Sequence, residues 1–213
     1  MRVFRFLIAL LSVSAYAGDA ALDTLLKGVE TRYNKAKTLQ VLFHEEYTPP
    51  GRSKRTESGT LVLRKPGKMR WDYDQPKGKL FLSDGKFLWL YTPADNTAEK
   101  MKLKESDDMR APLAFLLGKL EFEKDFGNFQ VKRLPDGNTS FTAKPTIERL
   151  PYSQVEFVIA SDFSIKKLDV YGDDQSVLTF VFANEKLNPT VNDRLFKFQI
   201  PAGATFTDLS DEK

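Results

Sequence analysis

The spacing of hydrophobic residues changes character along the chain. Leu22, Leu25, Leu26, Val29 and Tyr33 recur at i, i+3, i+4 and i+7 intervals, which predicts an amphipathic helix capped by Asp19, with Lys27, Glu30 and Lys37 on its wet side. A stripe of this kind must lie on an apolar partner. From Leu39 the period becomes two. Leu39, Val41, Phe43 and Tyr47 alternate with polar neighbours, as a half-buried strand requires. A loop, TPPGRSKRTESG, follows. Short strands are then expected near 58–65, 69–74, 79–83, 86–92 and 98–104, broken by KPGK, DQPKG, SDG and PADN, each rich in turn formers.

The middle departs from this rhythm. Ser106 to Leu120 opens with a capping signature and carries Leu113, Leu116, Leu117 and Leu120 at helical spacing, so a short apolar helix is expected among the strands. Hairpins resume with FQVKRL, TSFTAKP, QVEFVIA, IKKLDVYG and SVLTFVFANEKLN. The closing DRLFKFQIPAGATFTDL reads as a last strand and a Pro-Gly turn into a tail. The count is about ten or eleven strands with hairpin connections and no βαβ spacing, so the sheet is expected to be antiparallel and either to close or to curl around something.

The first residues alter the bookkeeping. MRVFR is a positive n-region, FLIALLSVSA an apolar run, and Ala15-Tyr16-Ala17 a small-residue cleavage signal. Residues 1–17 therefore read as a cleaved leader of an exported, soluble protein, and 18–213 as one β domain. Removing Arg2 and Arg5 leaves 30 of the 32 basic residues against 29 acidic ones. Such a balance carries no electrostatic footprint for nucleic acid. Cysteine is absent, which excludes disulfides, thiolate chemistry and lipidation on sulfur.

Catalytic patterns are missing as well. His44 is the sole histidine, and no serine sits in a nucleophile-elbow pattern. The acidic pairs Asp107-Asp108 and Asp173-Asp174 are better explained by a helix start and a hairpin turn. No phosphate-binding glycine loop, cofactor motif or metal-ligand spacing is present. A binding protein without a cofactor is expected rather than an enzyme.

What stands out is LVLRKPGKMRWDYDQP, Leu61 to Pro76. If extended, it puts Leu61, Leu63, Met69, Trp71 and Tyr73 on one face and basic residues on the other and at the turn. Phe43 adds to the same face. Residues of this kind are either plain core or the wall of an apolar cavity, and periodicity alone does not choose between them.

Residues 59–93, GTLVLRKPGKMRWDYDQPKGKLFLSDGKFLWLYTP, resemble the hallmark region of the LolA family of periplasmic lipoprotein carriers. The likeness lies in RKPGKMRWDY, in SDGKFLWLY with its following proline, and in their spacing; APLAFLLG and FKFQIPAGATF extend it. It implies an incomplete, open antiparallel β-barrel covered by a short-helix lid and enclosing a hydrophobic cavity for acyl chains. The implied partners are acylated lipoproteins, an inner-membrane lipoprotein-releasing ABC transporter of the LolCDE type and an outer-membrane receptor of the LolB type, with the carrier a monomer. A lipid or glycolipid shuttle, or a lipoprotein-sensing module, would use the same scaffold. Phe43, Leu61, Leu63, Met69, Trp71 and Tyr73 would line the cavity with Leu116 and Leu117 of the lid, and Lys65 and Arg64 would make polar contacts at the rim. Three positions depart from the family's habit. Lys65 stands where Arg is common, Met69 where a large aromatic is common, and Phe43-His44-Glu45 where Phe-x-Gln is common. Lys is a compact ammonium and does not reproduce the fork of Arg.

Overall fold

The computed structural model describes residues 16–103, 119–147 and 150–210. Helix α1 (Tyr16–Lys35) comes first. It begins before Asp19, which therefore lies in its first turn and does not cap it. The expected stripe is the buried one: Leu26, Val29 and Tyr33 are almost fully covered, with Leu22 and Leu25 packed beside them.

Strands β1 (Thr38–Thr48), β2 (Arg55–Arg64), β3 (Lys68–Gln75), β4 (Leu80–Asp84), β5 (Phe87–Thr92) and β6 (Thr97–Lys102) form a meander. A four-residue helix, α2 (Phe122–Asp125), leads into a second meander, β7 (Phe126–Arg133), β8 (Thr139–Pro145), β9 (Tyr152–Ile159), β10 (Ile165–Gly172) and β11 (Val177–Leu187). β11 returns to pair with β1, which joins the two meanders into one sheet. The last strand, β12 (Thr205–Asp208), lies parallel on β6. The order is β12-β6-β5-β4-β3-β2-β1-β11-β10-β9-β8-β7, and the two ends do not pair, so the sheet is open. β6 and β7 follow one another in sequence yet stand near opposite edges.

Strand positions match expectation to within a few residues, with two corrections. The basic loop after β1 ends earlier, because Arg55 to Ser58 already pair with β1 and lengthen β2. Asp193–Phe196 is a single 3₁₀ turn rather than strand, started by the Asn192 side chain, which accepts a bond from the Arg194 N–H. The turn tucks Phe196 into a buried position, and the strand forms only after the Pro201–Gly203 turn. The helix expected over Ser106–Leu120, with Leu116 and Leu117, lies outside the described residues except for Lys119 and Leu120; Leu120 is fully buried.

One apolar cluster spans both meanders. It runs from Leu26, Val29 and Tyr33 of α1 through Phe43, Leu61 and Trp71 to Phe141, Phe157, Leu168 and Phe180. The sheet face that carries this cluster, and that α1 covers, is the inner face.

Candidate functional site: the inner face of the first meander

Alternation fixes which side chains share that face. β2 and β3 pair Leu61 with Trp71, Leu63 with Met69 and Gly59 with Tyr73. Trp71 in turn pairs with Phe81 of β4. On the other side of β2, Val41 faces Leu61 and Phe43 faces Gly59. All six sheet residues expected at the site are therefore together: Phe43, Leu61, Leu63, Met69, Trp71 and Tyr73 lie in one cluster, none more than 7% exposed.

Gly59 explains how three large rings meet there. It stands between Phe43 and Tyr73 in the two registers, and those rings meet edge to face across it with centroids 5.1 Å apart. Phe43 also meets Trp71 edge to face at 4.7 Å, and Trp71 leans on Phe180 of β11 at 5.6 Å. A Cβ on Gly59 would lie 2.0 Å from the Asp72 carbonyl oxygen, so backbone contact excludes a side chain.

Polar chemistry on the face is sparse. Glu45 is buried on β1, and the Tyr73 hydroxyl donates to its Oε2 at 3.5 Å. Trp71 is 1% exposed, and its indole Nε1 is without a hydrogen-bond partner. Two small spaces of about 10 Å³ each lie along the C-terminal half of α1. One is bordered by Tyr33, Ala36, Leu39, Leu63 and Lys65, the other by Tyr33, Val41, Leu61, Phe182 and Glu185. Each is at the lower limit for a single water.

The helix over this face is pinned at its C-terminal half by a few polar contacts. Lys65 Nζ donates to the Tyr33 carbonyl at 2.9 Å, and the Lys65 N–H donates to the Lys37 carbonyl at 2.9 Å. The last-turn carbonyls of a helix lack intrahelical partners and favour a cation. Burial holds the Lys65 ammonium below its ordinary pKa of 10.5. On the other flank, Arg32 Nε donates to Glu185 of β11 at 3.0 Å, and the Tyr33 hydroxyl donates to the same carboxylate at 2.6 Å while accepting from the Ile165 N–H at 2.9 Å. Burial, first, and then the Glu185 carboxylate push the Tyr33 phenol well above its usual pKa. Asn34 exchanges two hydrogen bonds with the backbone of Leu120, and Glu30 accepts from the Phe122 N–H.

The two basic residues expected at the rim separate. Lys65 reaches α1. Arg64 alternates to the outer face, where it bonds the Val191 carbonyl at 3.2 Å and Asp193 at 2.9 Å. Two contributors had escaped the sequence reading. Phe180 and Phe182 of β11 complete the aromatic face, a period-two signal legible in SVLTFVFAN. The Arg32–Tyr33–Glu185 knot had no sequence signal, since Glu185 lies more than 150 residues from the other two.

An open, largely antiparallel sheet whose apolar inner face, among the described residues, carries an N-terminal helix defines a class of β-rich scaffold, and sequence comparison narrows it further. The profile of the family "Outer membrane lipoprotein carrier protein LolA" matches residues 34–199, and this chain belongs to that family. It is 28% identical over 212 residues to the outer-membrane lipoprotein carrier protein of Pseudomonas paraeruginosa, covering 95% of this chain and 97% of that one. It is 27% identical over 181 residues to the protein of that name from Nitrosomonas europaea, covering 84% and 86%. An uncharacterized conserved protein of Thermus thermophilus shares the fold at a TM-score of 0.54 and 12% identity, over 88% of this chain and 99% of that one. No helix among the described residues is long and apolar enough to cross a membrane.

Proposed function

We propose that this chain is a periplasmic carrier that takes up the acyl chains of lipoproteins released from the inner membrane and delivers them to the outer membrane. The observation that supports this best is the unbroken apolar face from Phe43 through Leu61 and Trp71 to Phe81, in a chain belonging to a lipoprotein carrier family. Each buried CH₂ of an acyl chain contributes about 0.8 kcal/mol, so an apolar face alone supplies ample, non-directional affinity. Release needs the opposite property: a cover held by contacts that can be given up singly. Lys65 on the Tyr33 carbonyl and the Glu185 knot answer that description, and because the spaces beneath this end of α1 are only water-sized, cargo would need α1 to lift or side chains to turn. Leu116 and Leu117, outside the described residues, would complete the cover. A releasing ABC transporter and an outer-membrane receptor are the partners this reading requires, and the carrier would act as a monomer.

The test is native mass spectrometry with lipid extraction on detergent-free protein, before and after incubation with energised inner-membrane vesicles. A one-to-one complex with a triacylated lipoprotein is expected after loading. Recovery of free phospholipid or glycolipid in its place would make the chain a lipid shuttle. Stable capture of a membrane signalling protein without cargo transfer would make it a sensor.

A further inference from the structure

Trp71 poses a chemical question that an all-hydrocarbon face does not answer. Among the described residues, its Nε1 is the one buried side-chain polar atom without a hydrogen-bond partner. Buried tryptophan N–H groups ordinarily find an acceptor, because an unmade bond forfeits the hydration the group had in the unfolded chain. A phenylalanine would offer the same face a ring without that penalty. Trp71 is central: Leu61 and Phe81 flank it across the strands, and Phe43 and Phe180 pack on its ring. Hydrocarbon chains cannot accept its proton. The acyl group has one atom that can, the carbonyl oxygen of its ester.

We infer that the Trp71 indole N–H is a specificity-determining donor that hydrogen-bonds an acyl ester carbonyl of bound cargo, setting the depth at which the chain is held. This rests on the carrier reading above. The free protein keeps the donor unpaired; cargo carrying the carbonyl satisfies it, and an ether analogue, whose oxygen lies in the chain backbone, places no acceptor at the carbonyl's position. One neutral hydrogen bond of this kind corresponds to about a five- to tenfold preference.

The experiment uses the full mature chain and two synthetic probes, an S-diacylglyceryl peptide with palmitoyl esters and its dialkyl ether counterpart of equal length, neither bearing an N-acyl group. The wild type should bind the ester about five- to tenfold more tightly, and Trp71→Phe should bind both equally. A second reading needs no variant. The chain has only two tryptophans, and Trp89, whose indole donates to Asp84 at 3.3 Å on the outer face, serves as an internal control. In ¹⁵N-indole spectra of the wild type, the Trp71 resonance should move downfield with the ester and not with the ether, while Trp89 stays put. Equal affinities with an unmoved Trp71 resonance would overturn the proposal and leave the carrier reading intact. A Trp71 resonance held upfield in both states, marking the Phe43 ring as the acceptor, would also overturn it. Failure of both probes to bind would overturn the carrier reading and this proposal together.

Discussion

The two faces of β2 and β3 come from the same few residues and are held by opposite means. On the inner face Leu61, Leu63, Met69, Trp71 and Tyr73 are buried in the main cluster, where the Tyr73 hydroxyl makes a long contact with Glu45 and the Trp71 indole nitrogen has no hydrogen-bond partner. On the outer face Arg64, Lys68 and Arg70 grip a strap formed by the chain's last segment. Arg64 and Lys68 both meet Asp193 at 2.9 Å, and Arg70 bonds the Leu195 carbonyl at 3.0 Å while clamping Asp72. Val62, Leu82 and Phe196 are buried as well but lie outside the main cluster. Further along, Trp89 stacks on Phe198, and Lys100 pairs with Asp208. The basic turn is thus chiefly a fastening for the outer strap, with Lys65 alone turned toward α1. Directional contacts from the strands themselves tie the strap to the outer face. On the inner face the strands meet their cover chiefly through apolar contact, and the directional contacts sit at α1 and its flanks.

That contrast predicts a separation between stability and binding, and truncating the inner face should have the largest effect. Trp71→Ala removes the ring on which Phe43 and Phe180 pack and should cost about 3–5 kcal/mol in urea unfolding, with loss of lipoprotein loading. Phe196→Ala should destabilise by roughly 3 kcal/mol by emptying a buried site outside the main cluster yet leave loading unchanged; a matching loss of loading would mean that the faces are not independent. Gly59→Ala should cost about 1–3 kcal/mol by overpacking against the β3 backbone, and should disturb the Phe43–Tyr73 contact in aromatic NMR spectra.

Smaller effects test the fastenings. Lys65→Ala should speed cargo exchange with little change in unfolding midpoint; a variant that loads and releases like the wild type would remove Lys65 from the mechanism. Because burial depresses the folded-state pKa of Lys65, the unfolded chain binds its proton more readily. Its contribution to stability therefore rises as pH climbs through the folded value toward the ordinary 10.5, and Lys65→Met should flatten that part of the stability–pH profile. The slightest change is expected of Asp193→Asn. The Lys68 hydrogen bond, first, and the Arg64 charge hold the Asp193 carboxyl below its ordinary 3.8, so its contribution is complete above that value and lost as pH falls through the depressed one. The wild-type advantage should shrink with added salt, since the carboxylate is exposed.

Much of this molecule was written locally. Period-two alternation put Phe43, Leu61, Leu63, Met69, Trp71 and Tyr73 on one face because strand geometry alone demands it, and the 3.6-residue stripe of α1 found its buried side for the same reason. Turn formers marked nearly every hairpin. Family membership, too, was legible in RKPGKMRWDY. Tertiary structure decided what lies across from each face. Nothing local tells that β11 returns to β1, that Glu185 meets Arg32 and Tyr33, or that of two adjacent basic residues Lys65 turns to the helix and Arg64 to the strap. The end of the chain was misread for the same reason: DRLF alternates well enough for a strand, but a docked Phe196 and the Asn192 cap make it a 3₁₀ turn. Alternation assigns a side chain to a face; only packing between distant segments determines whether that face meets core, cover or strap.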